Sequence, residues 1–290
     1  MLACDECGAP AVHTEHLRSI THVSLTAHHL CKACFSAAVE RKVFDAIDSN
    51  TMISDGDRVL LAVSGEKDST VMMDLVHKWR ERRGVDAELI VLTVDEGISD
   101  YRTRCTELVR RHAERRGMTF VKRSYESEFG LTLDDIHASR EKDGRRICAY
   151  CCSLRGHVLR RVCDEVGVNK IATGMNLNDA VEYGFMCLLY GHFDDQSMPV
   201  YQPAKRTVQF VQPIYQLRAV ECALYAHLNG IEILNEDCTY SAEHLHDDIR
   251  HTLNLLEDAN PGILRSIYEG YTRVVAKKER ATAHVRRGAA

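Results

Sequence analysis

The segment Arg58-Val-Leu-Leu-Ala-Val-Ser-Gly-Glu-Lys-Asp-Ser69 passes from an apolar run, Val59 to Val63, into a small polar turn. A helix-period pattern follows at Val71, Met72, Leu75, Val76 and Trp79. Strand, tight loop and helix start, in that order, gather unpaired backbone N–H groups and the positive end of a helix dipole around one small volume. Phosphate is drawn to such a place. No Gly-x-x-x-x-Gly-Lys-Ser/Thr is present, so this is not a Walker A loop. The competing reading is a strand-to-helix turn that holds no ligand.

Cysteine spacing marks two further sites. Cys4-x-x-Cys7 and Cys31-x-x-Cys34 are knuckles separated by 23 residues, and four thiolates from two turns make the closed tetrahedral site that structural zinc favours. An all-sulfur site stabilises a module or docks a partner. His13, His16, His22, His28 and His29 lie between the knuckles; they read as surface or packing residues, although one could replace a cysteine. Cys148-Ala-Tyr-Cys151-Cys152 precedes an amphipathic helix carrying Arg155, Arg160 and Arg161, and Cys238 follows Asn235-Glu-Asp237. Two thiolates at i and i+3 plus a remote third can hold an iron–sulfur cluster by three corners, leaving one iron open to exogenous sulfur. They can equally be a persulfide and resolving pair or a redox dithiol. Cys105, Cys163, Cys187 and Cys222 fall on predicted helices and read as small buried hydrophobes. Cys152 is either a substitute ligand or inert.

Positioning these residues requires a scaffold, and the hydrophobic pattern supplies one. After a helical pattern from Ala37 to Ile47, strands are expected at 59–63, Leu89–Val94, Thr119–Val121 and Lys170–Thr173. Helices are expected at 69–83, Tyr101–Arg116 and about Ser153–Glu165, and another beginning near Ser241 and closed by Pro261-Gly262. Alternation of this kind means βαβ units in a parallel sheet with right-handed crossovers. Ligands sit beyond the carboxyl ends of such strands, so the loops Ser64–Ser69, Asp95–Gly97 and Gly174–Asp179 are expected to converge. The domains expected are a Cys4 zinc-binding module (1–36), a connecting helix (37–56), a large α/β domain (57–271) and a basic tail (272–290).

Composition is that of an ordinary globular protein: 290 residues, 45% hydrophobic, 27% charged. No apolar run is long enough for a membrane span and no basic-then-apolar leader opens the chain, so a cytoplasmic location without a membrane partner is expected. Twelve cysteines then read as metal or sulfur chemistry rather than disulfides. A net charge of −5 does not mark a nucleic-acid binder. The arginine clusters at 80–83, 110–116 and 145–146, and a tail with Lys277, Lys278, Arg280, Arg286 and Arg287, are more simply solvated faces.

Taken in order, several segments carry a resemblance. They are the N-terminal knuckles, the Ser64–Ser69 loop, Val94-Asp-Glu-Gly-Ile-Ser-Asp-Tyr-Arg102, Cys148-x-x-Cys151 with Leu154-Arg155, Gly167-Val-Asn-Lys-Ile-Ala-Thr-Gly174, and Asp237-Cys-Thr-Tyr240. Together they resemble the tRNA 2-thiouridine synthetases of archaea and the eukaryotic cytosol, a branch of the PP-loop ATP pyrophosphatases. The resemblance runs from Cys4 to about Tyr271 and implies a PP-loop α/β fold with a parallel sheet. It implies adenylation of a uridine C2 oxygen by ATP and replacement of that oxygen by cluster-bound or persulfide sulfur. The cofactors implied are ATP, Mg2+, Zn2+ and a [4Fe-4S] cluster. The partners implied are tRNA and a sulfur donor, either sulfide or a sulfur-carrier protein; a homodimer stays open. Ser64, Gly65, Lys67, Asp68 and Ser69 would bind the phosphates, with Asp68 near Mg2+. Backbone around Ala62, Val63 and Val94, with Gly174 nearby, would hold the rest of ATP. Asp179 would orient substrate or manage a proton, and Arg155 would stabilise charge on the transferring phosphate. Cys148, Cys151 and Cys238 would hold the cluster, and Cys4, Cys7, Cys31 and Cys34 the zinc.

Four departures stand out. Glu66 occupies a glycine position of the loop, where its carboxylate opposes phosphate unless Lys67, Arg155 or Mg2+ offsets it. Met175 stands where histidine is usual, and Asn178 replaces the first of two acidic residues. No cysteine follows Cys238, so a second zinc module is not expected. These departures keep two alternatives in view: thiolation of a small molecule or another RNA, and a non-catalytic nucleotide- or partner-binding paralogue.

Overall fold

The computed structural model describes residues 2–18, 25–98, 101–139, 146–191, 208–234, 238–240 and 245–274. His22, Ser99, Asp100, Arg145, the 235–237 turn, the start at Ser241 and tail residues 275–290 lie outside them.

Five strands form one parallel sheet: β3 (Arg58–Ala62), β4 (Glu88–Asp95), β5 (Thr119–Ser124), β6 (Lys170–Thr173) and β7 (Gln209–Val211), in the order β5-β4-β3-β6-β7. Its central strands are buried on both faces, which is why β4 reads as a near-continuous apolar run broken only by the buried Thr93. Alternation still divides the core. Val59, Leu61, Leu89 and Val91 face one cluster, and Leu60, Ile90 and Leu92 face the other. Helices α1 (Lys32–Ser49), α2 (Lys67–Arg83) and α8 (Ala219–Leu228) supply the first cluster, and α6 (Ile147–Val166) the second. The chain leaves β3 toward β4 and later returns to the opposite side of β3 as β6. The order therefore reverses between β3 and β6, and a crevice opens there at the strands' carboxyl ends.

The elements depart from expectation where cysteines sit. Helix α6 starts at Ile147 rather than near Ser153, so Cys148 and Cys151 lie on its first two turns and not in a turn before it. Helix α1 starts at Lys32, with Cys31 as its N-cap, so the second knuckle is the helix's own first turn. The hairpin β1 (His13–Arg18) and β2 (Leu25–Leu30) joins the two knuckles. Lys42 ties this hairpin to the main body, its Nζ lying 2.6 Å from Glu15 Oε1 and 3.1 Å from Glu221 Oε1. The remaining helices are α3 (Tyr101–Arg115), α4 (Tyr125–Phe129), α5 (Leu133–Ser139), α7 (Leu177–Leu189) and α9 (Leu245–Ala259); residues 263–274 are also helical. Arg82, Arg83, Arg110 and Arg111 have exposed side chains, each paired with a carboxylate, as solvated faces would be, whereas Arg116 pairs with the buried Asp74.

Candidate active site

Two glycines shape the loop after β3. Gly65 has φ +92°, and a Cβ there would lie 3.0 Å from Cys105. Gly174, just past β6, lets that strand's exit approach the first turn of α2, because its Cβ would lie 2.7 Å from Ser69 N and Cα. Within the loop, Ser64 N donates to Ser69 Oγ at 3.1 Å, and the two hydroxyls are 2.9 Å apart. Ser69 Oγ also donates to Glu66 O at 3.2 Å. The turn is thus pre-shaped, with the N-terminus of a 17-residue helix behind it.

This loop forms one wall of a cavity of about 860 Å3. Ala62, Val63, Ser64, Lys67, Asp68, Ser69, Val94, Gly174, Asp179 and Arg155 all line it. The three strand-end loops converge there, as expected; Gly65 instead packs beneath the loop. Lys67 Nζ pairs with Asp68 Oδ2 at 2.8 Å, while Asp68 Oδ1 is buried and accepts no hydrogen bond from the described residues. Asp68 lines the cavity, and a carboxylate beside a phosphate-shaped turn suits Mg2+. Asp179 is the third residue of α7 and completes a capping box with Asn176. Burial raises its carboxyl to about 6; the Asn176 amide opposes this, and the Asp68 and Glu182 charges add to it.

The cysteine trio lies beyond Arg155 rather than in the cavity wall. Arg155 Nη2 sits 3.2 Å from Cys151 Sγ and 3.0 Å from Glu96 Oε1. The Tyr125 hydroxyl donates to Cys151 O at 2.7 Å and fixes that turn. Cys148 Sγ is 3.8 Å from Tyr240 O, which puts α6 beside the 238–240 segment. Cys148, Cys238 and Tyr240 pack against the same core cluster that contains Cys151. Burial raises the Cys148 thiol, and the Cys151 and Cys238 charges raise it further. Three such thiols with a guanidinium at hand fit an anionic cluster. The four N-terminal cysteines, by comparison, have ligand atoms all within 4.8 Å of one another.

That N-terminal set fits zinc. Cys7 Sγ lies 3.6 Å from Cys31 Sγ and 3.8 Å from Cys34 Sγ, close to the roughly 3.8 Å edge of a tetrahedron with 2.3 Å Zn–S bonds. Burial raises Cys4, yet backbone amides of Cys31, Glu6 and Cys7 bring it down to about 6. Hydrogen bonding with Cys31 and Cys7 drives Cys34 up to about 12. Four thiols this close do not all ionise without a cation among them.

A family profile described as the PP-loop domain matches residues 36–256. The chain is 32% identical to the tRNA 2-thiolation protein NcsA of Haloferax volcanii, over 93% of this chain and 86% of that protein. The chain belongs to the PP-loop family, in its tRNA 2-thiolation branch. Within that branch it is also 30% identical to cytoplasmic tRNA 2-thiolation protein 1 of Aspergillus niger, over 93% of this chain and 80% of that one. The fold matches the U34-tRNA thiolase NcsA of Methanococcus maripaludis, solved with its [4Fe-4S] cluster. That match has a TM-score of 0.78 at 24% identity and covers 95% of this chain and 88% of that one.

Glu66, Met175 and Asn178 each have a structural setting. Glu66 pairs with neither Lys67 nor Arg155, contrary to the salt bridges considered from sequence. Lys67 is taken by Asp68 and Arg155 by Glu96, and Glu66 Oε1 instead accepts from the Tyr101 hydroxyl at 2.8 Å. Met175 packs against the main core. Asn178 Oδ1 accepts from Ala219 N at 3.0 Å and so serves the start of α8. Sequence reasoning singled out none of Glu96, Tyr101, Arg102, Arg218 and Arg250 as site residues. Glu96, Tyr101 and Arg102 lie in the Val94–Arg102 segment that carries the resemblance, but a buried acid and base six residues apart give no periodic signal.

Proposed function

We propose that this chain uses ATP to replace the C2 oxygen of a tRNA uridine with sulfur. The observation that carries this reading is one cavity with a phosphate-shaped turn on one side and the Arg155–Cys151 contact on the other. The 2-thiolation names of its relatives support the acceptor class. We assign it to the cytoplasm, a reading supported by the name of its Aspergillus niger relative, a cytoplasmic tRNA 2-thiolation protein. Its partners are tRNA and a donor of sulfide or carrier-bound sulfur, and it works alone or as a homodimer.

Amides of the 64–69 turn, with Ser64, Lys67 and Ser69, bind the pyrophosphate end of ATP, and Asp68 serves Mg2+. Ala62, Val63 and Val94 border the adenosine. The uridine O2 attacks the α-phosphorus and the bond to pyrophosphate breaks, so the oxygen that was a poor leaving group now departs with AMP. Arg155 faces the charge that builds on the transferring phosphoryl group. Asp179, half-ionised near pH 6, orients the acceptor and can take the proton that the incoming hydrosulfide gives up. Cys148, Cys151 and Cys238 would hold the cluster, whose chemistry when bound is to present sulfur from an iron free of protein ligands. Zinc at Cys4, Cys7, Cys31 and Cys34 is structural.

Pyrophosphate release by purified chain tests the reading. Release that depends on added tRNA, with 2-thiouridine recovered from that tRNA by mass spectrometry, is the expected result. Release driven equally by free nucleosides would move the acceptor to small molecules, and no release at all would sink the enzyme.

A further inference from the structure

Glu96, just past the end of β4, is 3% exposed and has no part in the steps above. Its carboxylate is shared by two guanidiniums. Oε2 lies 2.5 Å from Arg102 Nε, an ion pair whose atoms are not aligned as a hydrogen bond. Oε1 lies 3.0 Å from Arg155 Nη2, the same nitrogen that touches Cys151 Sγ. Arg102 is pinned on its far side as well, donating to Val94 O at 2.7 Å and to Ser64 O at 3.3 Å. A continuous path therefore runs from the phosphate loop through Arg102, Glu96 and Arg155 to the cysteine trio.

The two arginines differ in how firmly they are held. Arg102 is buried and has three acceptors around it. Arg155 is 48% exposed because it lines the open cavity, and a long side chain facing water keeps its rotamer freedom unless something fixes it. Without the carboxylate, two guanidiniums would repel each other, and the freer one would swing out.

We propose that Glu96 is a positioning residue: it fixes the Arg155 guanidinium at the junction between the nucleotide cavity and Cys151. Glu96 borders the same cavity, but its two carboxylate oxygens are taken up by Arg102 and Arg155, so it acts through Arg155. This inference rests on the function proposed above, since the junction matters only if both chemistries meet there.

The test uses full-length Glu96→Gln, Glu96→Asp and Glu96→Ala beside wild type. In protein that keeps its zinc but carries no cluster, the affinity of Glu96→Gln for ATP with Mg2+ is expected within about threefold of wild type, because the loop and Arg102 keep their other partners. Formate, a small carboxylate, is expected to raise the melting temperature of Glu96→Ala and not of wild type, since it refills the gap between two cations. In tRNA-dependent pyrophosphate release, kcat of Glu96→Gln is expected to fall on the order of 10- to 100-fold with KM for ATP little changed. Glu96→Asp should lie between, and formate should restore part of kcat to Glu96→Ala.

Wild-type kcat in Glu96→Gln would overturn the proposal. So would a fall in kcat matched by an equal fall in ATP affinity, because Glu96 would then be holding the loop rather than Arg155. If Glu96→Ala does not fold, the isosteric Glu96→Gln decides alone. A wild-type chain that releases no pyrophosphate refutes the proposed function instead. The ATP-affinity and formate measurements then still decide whether Glu96 holds Arg155.

Discussion

The Tyr101 hydroxyl donates to Glu66 Oε1 at 2.8 Å, from the first residue of α3 to the N-cap of α2. The Glu66 carboxylate in the phosphate loop is thus tethered toward α3. Burial, and then the Glu66 charge, push the Tyr101 phenol well above its ordinary range, so it stays a proton donor at any working pH.

Breaking this tether should cost nucleotide affinity. Tyr101→Phe frees the carboxylate to turn on the phosphates, and ATP should bind roughly 3- to 10-fold more weakly, about 1 kcal/mol, the scale of one ordinary hydrogen bond. Adding Glu66→Gly to that variant should restore binding. Isothermal titration reads both, and unchanged affinity in Tyr101→Phe would mean the tether is idle.

Gly174→Ala should be the most damaging single methyl group in the site. It would sit 2.7 Å from the backbone of Ser69, which can yield only by shifting the start of α2 off β6. ATP affinity is expected to drop at least about tenfold, since the displaced amides are the phosphate donors. The same substitution at Gly156, which has nothing within 4 Å, should be silent.

Asp179 makes stability depend on pH in a defined direction. Its folded-state value of about 6 lies above the ordinary 3.8, so the native state holds this proton more tightly than the unfolded chain. The contribution is greatest below pH 4 and is lost as pH rises through about 6. Asp179→Asn should therefore gain on wild type between pH 4 and 6 and hold a constant lead above 7, on the order of 1–3 kcal/mol. Melting temperatures at pH 4, 5, 6 and 8 check this, and a lead that shrinks with rising pH would refute it. Pyrophosphate release by the same variant should fall sharply.

The metal centres should separate cleanly. Cys31→Ser is expected to lose the bound zinc, while Cys238→Ser keeps about one zinc and loses the visible absorption formed on anaerobic iron reconstitution. Metal analysis beside absorption spectra decides, and loss of both signals in either variant would undo this partition.

What could be read from residues alone was local. The loop from Ser64 to Ser69 declares itself because strand, turn and helix are contiguous, and Cys4, Cys7, Cys31 and Cys34 do so by spacing. Helix α6 was foreseen too short because its opening, Ile-Cys-Ala-Tyr-Cys-Cys, looks like a ligand-bearing turn, and nothing in its propensity corrects that. Helices α4 and α5 run to only five and seven residues, too few for a hydrophobic period, although Ser124 and Thr132 mark their starts with side-chain bonds. The pairing of Glu96 with Arg155 was out of reach for another reason. It joins a strand end to a helix 59 positions later, and such a contact exists only once both are packed on the sheet.

Cys31 opens α1, and the same helix presents Phe35, Val39, Val43, Phe44 and Ile47 to the core. Metal scarcity during synthesis would accordingly be felt first as insoluble protein rather than as a soluble, inactive enzyme. An uncapped first turn leaves a greasy helix without its anchor. Yield in chelator-treated cultures thus becomes a gauge of the N-terminal ion, independent of any assay for sulfur.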